Sequence, residues 1–454
     1  MKQNTRSCWK PAFHLSSVVA LAVSMACGSE PVVEPVSEPA ADLIERARGI
    51  HERVITLDTH DDINPVNFTS EHNYTMDLDT QVSLPKMERG GLDVTWLIVF
   101  VRQGDLTPEG FSDAYQQAIA KFDAIHRLTE EIAPDRIELA LTSDDVRRIV
   151  GSGKKVAMIG VENGYPIGAD VSRVKEFWDR GARYMSLAHN GHSQLADSNT
   201  GEALGEVLHG GLSDLGRVVM GEMNRWGLII DISHPSKEAN LEAIALSRAP
   251  VIASHSAARA LNDHRRNLDD EQLLALKANG GVVQTVAFAG YLNGPKDTAY
   301  RQASQEVVRE VAETMDFALI AGGGRQRFAA LQAMSPEERD TYRTGLAAVE
   351  EVVAERLETD VDPVTPPVDV GDLVDHIDYL VELMGIEHVG ISSDFDGGGG
   401  VKGWDDASET FNVTLELVRR GYTEAEIGLL WSGNLLRVLD DVQAVAAEIQ
   451  AGDQ

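Results

Sequence analysis

Residues 213–234 read SDLGRVVMGEMNRWGLIIDISH, a stretch in which two elements and one reactive side chain follow in succession. From Ser213 to Trp226 apolar residues recur at helical spacing among polar ones, which predicts an amphipathic helix. Leu228 to Ile232 is a β-rich apolar run broken only by Asp231, the pattern of a strand buried on both faces, and His234 stands just beyond it. Seven further runs of this kind are Val54–Asp58, Val94–Val101, Val156–Val161, Tyr184–Ala188, Pro250–Ala253, Gly281–Ala287 and Val389–Ser392. Helical or loop segments separate them; Asp269 to Ala278 is another helical example. Strands alternating with helices imply parallel βα units. Eight such units are the number that closes a (β/α)8 TIM-like barrel, an α/β fold. An open doubly wound sheet is the other arrangement, but no Gly-rich phosphate fingerprint follows the first strand, which counts against its nucleotide-binding form. The gap between the seventh and eighth strands, about 290–375, is too long for one barrel helix. Helical patterns near Ser304–Ile320 and Arg325–Glu358, then a turn at Pro363–Pro367, predict a helical insertion there.

The 454 residues are 43% apolar and carry 72 Asp plus Glu against 40 Lys plus Arg, a formal charge of −32. So acidic a chain gains no counterion release from a polyanion, which excludes non-specific nucleic-acid binding. Its two cysteines, Cys8 and Cys27, both lie near the N-terminus, so the folded body has neither a disulfide nor a thiolate metal site. Lys2, Arg6 and Lys10 precede the mostly apolar run Leu15–Ala26, the pattern of a signal peptide over 1–27. The run ends in Ser24, Met25, Ala26, Cys27, which resembles a bacterial lipoprotein cleavage box. An exported protein, lipid-anchored through Cys27 at a bacterial membrane in the cell envelope, is the expectation. Residues 28–41, GSEPVVEPVSEPAA, read as a stiff solvated Glu/Pro-rich tether ahead of the barrel over 42–454.

Chemistry concentrates at the strand ends. The first strand ends in LDTHDD, with His60 and Asp62 two apart and on one side of extended backbone. The third ends at Glu162, the fourth at His189, the fifth at His234, the sixth at His255 and the eighth at Asp394. In a barrel the C-terminal strand ends share one mouth, so four histidines and three carboxylates converge. A lone histidine after a strand is usually a hydrogen-bonded core or loop residue, and a lone Asp such as Asp394 is often a helix N-cap. Their coincidence at six strand ends outweighs those readings. Imidazole and carboxylate are zinc ligands, and so many donors suggest two ions bridged by a carboxylate. His192 and His264 lie near the mouth; His14, His51, His72, His126, His209, His376 and His388 read as surface or structural residues.

At these residues the chain resembles the membrane dipeptidase (renal dipeptidase) family of zinc peptidases, over nearly all of Leu57–Val438. The ordered motifs are DTHDD at Asp58, LPKMERGG at Leu84, GVENG at Gly160, RYMSLAHN at Arg183, EMNRWGLIIDISHPS ending at Ser236 and SHSAARAL at Ser254. RRNLDD at Arg265, GGVVQ at Gly280, SDFDG at Ser393 and GNLLRV at Gly433 complete the set. The resemblance implies a barrel with two Zn2+ ions per chain, His60 and Asp62 holding one, His234 and His255 the other, and Glu162 bridging them. A hydroxide shared by the ions would attack the peptide carbonyl of a dipeptide. Asp394 would act as its base and proton relay, and His189 would bind substrate and stabilise the oxyanion. Arg266 would bind the substrate's C-terminal carboxylate, which suits a bidentate fork. Gln194 and Leu195 replace the family's usual proline and tryptophan near the expected pocket wall. Family members are often dimers, which leaves a homodimer open.

Two other functions fit parts of this pattern. A barrel amidohydrolase acting on another amide, lactone or ester bond would keep metals and fold, but related hydrolases typically open with His-x-His, whereas position 62 is Asp. A non-enzymatic peptide-binding lipoprotein would be expected to have lost a ligand, and all are present.

Overall fold

The computed structural model describes residues 40–322 and 324–452. The expected signal peptide, Cys27 and all of the tether but Ala40 and Ala41 lie outside them. Those two alanines already belong to the first helix, Ala40–Arg53.

Nine strands form one sheet: β1 (Leu57–Asp62), β2 (Val94–Phe100), β3 (Ile137–Leu139), β4 (Lys155–Glu162), β5 (Ala182–Ser186), β6 (Ile229–Asp231), β7 (Ile252–Ser256), β8 (Val282–Val286) and β9 (Val389–Ser392). Eight of them pair in parallel in the order β1-β2-β4-β5-β6-β7-β8-β9. The circuit nearly closes where the Asp62 amide donates to the Phe395 carbonyl at 2.8 Å and the Thr59 hydroxyl to the Ile391 carbonyl at 3.0 Å. The fold is therefore the expected TIM-like barrel. The short β3 pairs with Lys155–Ala157 of β4, before pairing of β4 with β5 begins at Ile159; three residues are too few to give an apolar run.

Side chains alternate along each strand between two packed layers. Val94, Trp96 and Ile98 of β2 join Met158, Tyr184, Ile229 and Val282 in one buried cluster, while Leu97 and Val99 face another. Trp96 and Tyr184 come from strands separated by β4, and their rings lie 5.0 Å apart across the interior. The 213–234 stretch behaves as read: Ser213 caps the helix Asp214–Trp226 by accepting from the Gly216 amide, Gly227 ends it at φ 80°, and β6 follows.

The insertion is helical but divided differently from the expectation. Its first long helix starts earlier, at Gly294, where Asn293 accepts from the Lys296 amide and Pro295 sits in the first turn, and it ends at Thr314. The expected Arg325–Glu358 helix is two, Gly324–Ala333 and Pro336–Arg356. Ser335 and Glu338 form a reciprocal capping box with Pro336 at the first helical position, a start signal that apolar spacing alone hides. Val307, Val311, Val349, Val353 and Val361 give these helices a small core of their own. The insertion ends near Val361, because Val370–Met384 is the barrel helix that leads into β9.

Candidate active site

Two strands run further than apolar patterning suggests. β1 continues through the polar DTHDD to Asp62, and β7 through SHS to Ser256, so His60, Asp62 and His255 lie within strands rather than after them. Polar residues can stay in a buried strand when each finds a partner. Asp58 accepts from the Ser393 amide at 2.8 Å, and Asp61 accepts from the hydroxyls of Thr95 and, at 3.3 Å, Ser393.

Glu162, the last residue of β4, is the hub. Its Oε1 lies 2.9 Å from His234 Nε2, 3.3 Å from His255 Nε2, 3.6 Å from His60 Nε2 and 3.7 Å from His189 Nε2. The Nε2 atoms of His234 and His255 are 2.9 Å apart. Three groups of donors fall within 4.8 Å of one another: His60, Glu162 and His255; Glu162, His189 and His234; His60, Asp62 and Asp394. All seven residues expected from the strand ends thus meet in one cluster. His189 comes as close to Glu162 and His234 as a ligand would, although the resemblance assigns it to the oxyanion.

The donor set fits divalent cations. His60 Nε2 and Asp62 Oδ1 are buried without a hydrogen-bond partner, a costly state unless something coordinates them. Burial, reinforced by the nearby Arg266 charge for His234 and by His60 for His255, keeps both imidazoles well below the usual histidine range, hence neutral with a lone pair to give. Burial and the Glu162 charge push Asp62 up to about 6, and burial lifts Asp394 well above the usual carboxylate range. Burial opposes charging of His60, yet Glu162, Asp394 and Asp62 drive it up to about 9. A proton on His60 thus serves where a metal cation would neutralise the same carboxylates.

A supporting layer, which strand-end reading missed, fixes the tautomers. Tyr184 donates its hydroxyl proton to the Thr59 carbonyl at 3.1 Å and contacts His60 Nδ1 at 2.9 Å, so Nδ1 carries a hydrogen, and Nε2, toward Glu162, is the nitrogen that would give up its proton to a cation. Ser254 donates to Asp231 at 2.7 Å and contacts His255 Nδ1 at 2.8 Å, to the same effect. Gly160 makes the first arrangement possible: a Cβ there would lie 2.2 Å from the Tyr184 ring. The available signal was a polar residue inside an apolar strand, as Asp231 and Ser254 are. Tyr184→Phe should keep the fold and weaken metal binding at the His60 site roughly 10- to 100-fold, measured by competitive titration with a chromophoric chelator; unchanged affinity would reduce the phenol to packing.

Arg266, only 3% exposed, covers the His234 and His255 flank. Its guanidinium lies 3.0 Å from His234 Nε2, donates to the carbonyls of Ser233 and, at 3.3 Å, His255, and sits 5.4 Å above the Tyr291 ring. Tyr291, also unforeseen, stacks at 4.6 Å on His264, whose Nδ1 accepts from the Arg266 amide at 3.2 Å.

On the other flank Asp394 follows β9 in left-handed backbone, φ 61°, a conformation costly for a residue with a Cβ and found where function fixes it. The N-cap alternative does not hold, because a turn follows and no helix begins until Ala407. A Cβ on Gly397 would lie 2.3 Å from Asp394 Oδ1 and 2.9 Å from Asp62 Oδ2, so glycine keeps the gap between them open. Gln194 donates to the carbonyls of Gly164 at 3.2 Å and Gly168 at 3.0 Å, and Leu195 belongs to the core.

A family model described as membrane dipeptidase, peptidase family M19, matches residues 44–453. Dipeptidase tcpJ of Claviceps purpurea is 32% identical over 382 residues, 82% of this chain and 72% of that protein. Dipeptidase aclJ of Aspergillus oryzae is 30% identical over 392 residues, 84% of this chain and 74% of that protein. The crystal structure of the probable dipeptidase PvdM from Pseudomonas aeruginosa is similar at TM-score 0.71 and 33% identity, covering 90% of this chain and all of that one (100%). A Rhodobacter sphaeroides metallo peptidase liganded with a phosphinate mimic of the dipeptide L-Ala-D-Ala shares the fold at TM-score 0.61 and 20% identity, covering 86% of this chain and 99% of that one.

Proposed function

The chain belongs to the membrane dipeptidase family, peptidase family M19, and from that premise we propose that it is a binuclear zinc dipeptidase. The observation that carries the metal half of this reading is the gathering of four imidazole nitrogens around one oxygen of Glu162. His60 and Asp62 would hold one ion, His234 and His255 the other, with Glu162 between them. Two zinc ions so held would supply a hydroxide nucleophile at neutral pH and would polarise the scissile carbonyl.

The protein's own groups do the rest. Asp394, buried and aimed at the Asp62 side, takes the proton released as the nucleophile adds to the carbonyl and returns it to the departing amine. His189, between Phe100 at 4.6 Å and His234 at 4.2 Å, donates to the developing oxyanion. Arg266 receives the C-terminal carboxylate, which suits its bidentate fork; its guanidinium faces the His234 lone pair that a bound cation would take. The expected export and lipid anchor rest on residues 1–27 alone.

The test of the reading is a hydrolysis screen over dipeptides with L and D C-terminal residues, using zinc-replete and chelated protein. Cleavage by the zinc form only is expected; lactone or acyl-amide turnover without dipeptide cleavage would favour the amidohydrolase alternative. In the same assay Arg266→Ala should reduce kcat/KM for a dipeptide at least about tenfold more than for the corresponding dipeptide amide, which lacks the carboxylate. Equal losses would assign Arg266 to structure.

A further inference from the structure

We propose that Lys121 is a specificity-determining residue, whose ammonium group binds an acidic side chain on the N-terminal residue of the substrate. The inference rests on the dipeptidase reading and extends it to the substrate class. Lys121 belongs to the helix Pro108–Arg127, and its stem lies along Phe100, with Nζ 5.6 Å from the ring centroid. It projects into a cavity of about 480 Å³ beside the cluster, lined among others by Asp62, Asn64, Asn67, Phe100 and Asp396. That volume has room for a side chain of glutamate size.

The polarity of the site directs the N-terminal residue there. Arg266, at the His234 and His255 flank, takes the carboxylate end of the substrate. The scissile carbonyl then lies over Glu162, and the N-terminal residue extends toward Asp62 and Asp394, the flank into which the Lys121 cavity opens.

Lys121 is available for such a partner. It forms no hydrogen bond or ion pair among the described residues. Of the two acids in the cavity wall, Asp62 is committed to the proposed metal pair, and Asp396 accepts from the Gln81 amide at 3.0 Å. Burial pulls Lys121 below the usual lysine range, with Asp62 and Glu162 countering only through space; a largely desolvated cation of this kind gains most from a contact anion. The amide of Asn64 adds a donor, since its Oδ1 already accepts from the Val66 amide at 3.3 Å. In a chain of net charge −32, an unpaired cation beside the reaction centre is a selective feature, because the surrounding field otherwise repels acidic peptides.

The test compares kcat/KM for Glu-Ala, Gln-Ala and Ala-Glu with the zinc-loaded full-length protein and its Lys121→Met and Lys121→Glu variants. Methionine keeps the aliphatic stem on Phe100 and removes the charge. The expected result is a Glu-Ala over Gln-Ala preference of about tenfold or more in the parent, the scale of one charge-assisted contact. That ratio should fall to about one in Lys121→Met and invert in Lys121→Glu. A ratio unchanged by either variant, or a lysine-dependent preference for Ala-Glu instead, overturns the proposal while leaving the dipeptidase reading intact. Failure of the parent to cleave any dipeptide overturns that reading, and this one with it.

Discussion

Asp394→Asn is expected to keep the fold and both metal ions yet lose kcat about a hundred- to ten-thousand-fold, the usual worth of a positioned general acid and base. Asparagine reproduces the shape of aspartate, and it tolerates left-handed backbone at φ 61° about as well, so nothing structural should change. What it cannot do is accept a proton. Ground-state binding should move little, because the lost interaction belongs to the transition state, and kcat should therefore carry the loss with KM nearly constant. Asp394 is suited to the role by its surroundings: burial and the carboxylates of Glu162 and Asp62 raise its affinity for a proton, His60 opposing them. Metal-replete protein with near-normal turnover would remove Asp394 from the proton path.

Replacing the hub should be more damaging still. Glu162→Gln removes the one carboxylate that four histidines face, so both ions should be lost together and hydrolysis should fall below detection. The cost should exceed the roughly 10- to 100-fold in affinity typical of removing a supporting group. His255→Ala should chiefly weaken one ion, since His255 belongs to only one of the three donor groups whereas Glu162 belongs to two. Elemental analysis of each variant, with circular dichroism to verify the fold, separates the outcomes. Retention of both ions by Glu162→Gln would refute its bridging role.

The barrel was legible because parallel strands covered by helices on one side and a packed interior on the other must be nearly continuous apolar runs. Val94–Phe100 shows that signal plainly. β1 and β7 did not, since their C-terminal halves hold polar residues whose partners come from elsewhere in the chain, among them Thr95 and Asp231 of other strands and Ser393 just after β9. Histidines and carboxylates at strand ends could be read one by one because the barrel's handedness brings them to one mouth. The tautomer-fixing contacts of Tyr184 and Ser254 could not, because Tyr184 lies 124 residues from the histidine it serves and Ser254 is oriented by Asp231 of another strand. Lys121 was hidden for a related reason: it is a single cation on a helix between Ala120 and Phe122, and only the tertiary fold places it beside Asp62.

The central claim is that two zinc ions at this cluster make the chain a dipeptidase. Its most direct measurement is the return of dipeptide hydrolysis as zinc is titrated into chelated protein, with bound zinc counted at each point. The account predicts no activity without metal and full activity only as the second equivalent binds. Full hydrolysis with one ion or none, or none with both sites filled, would contradict it.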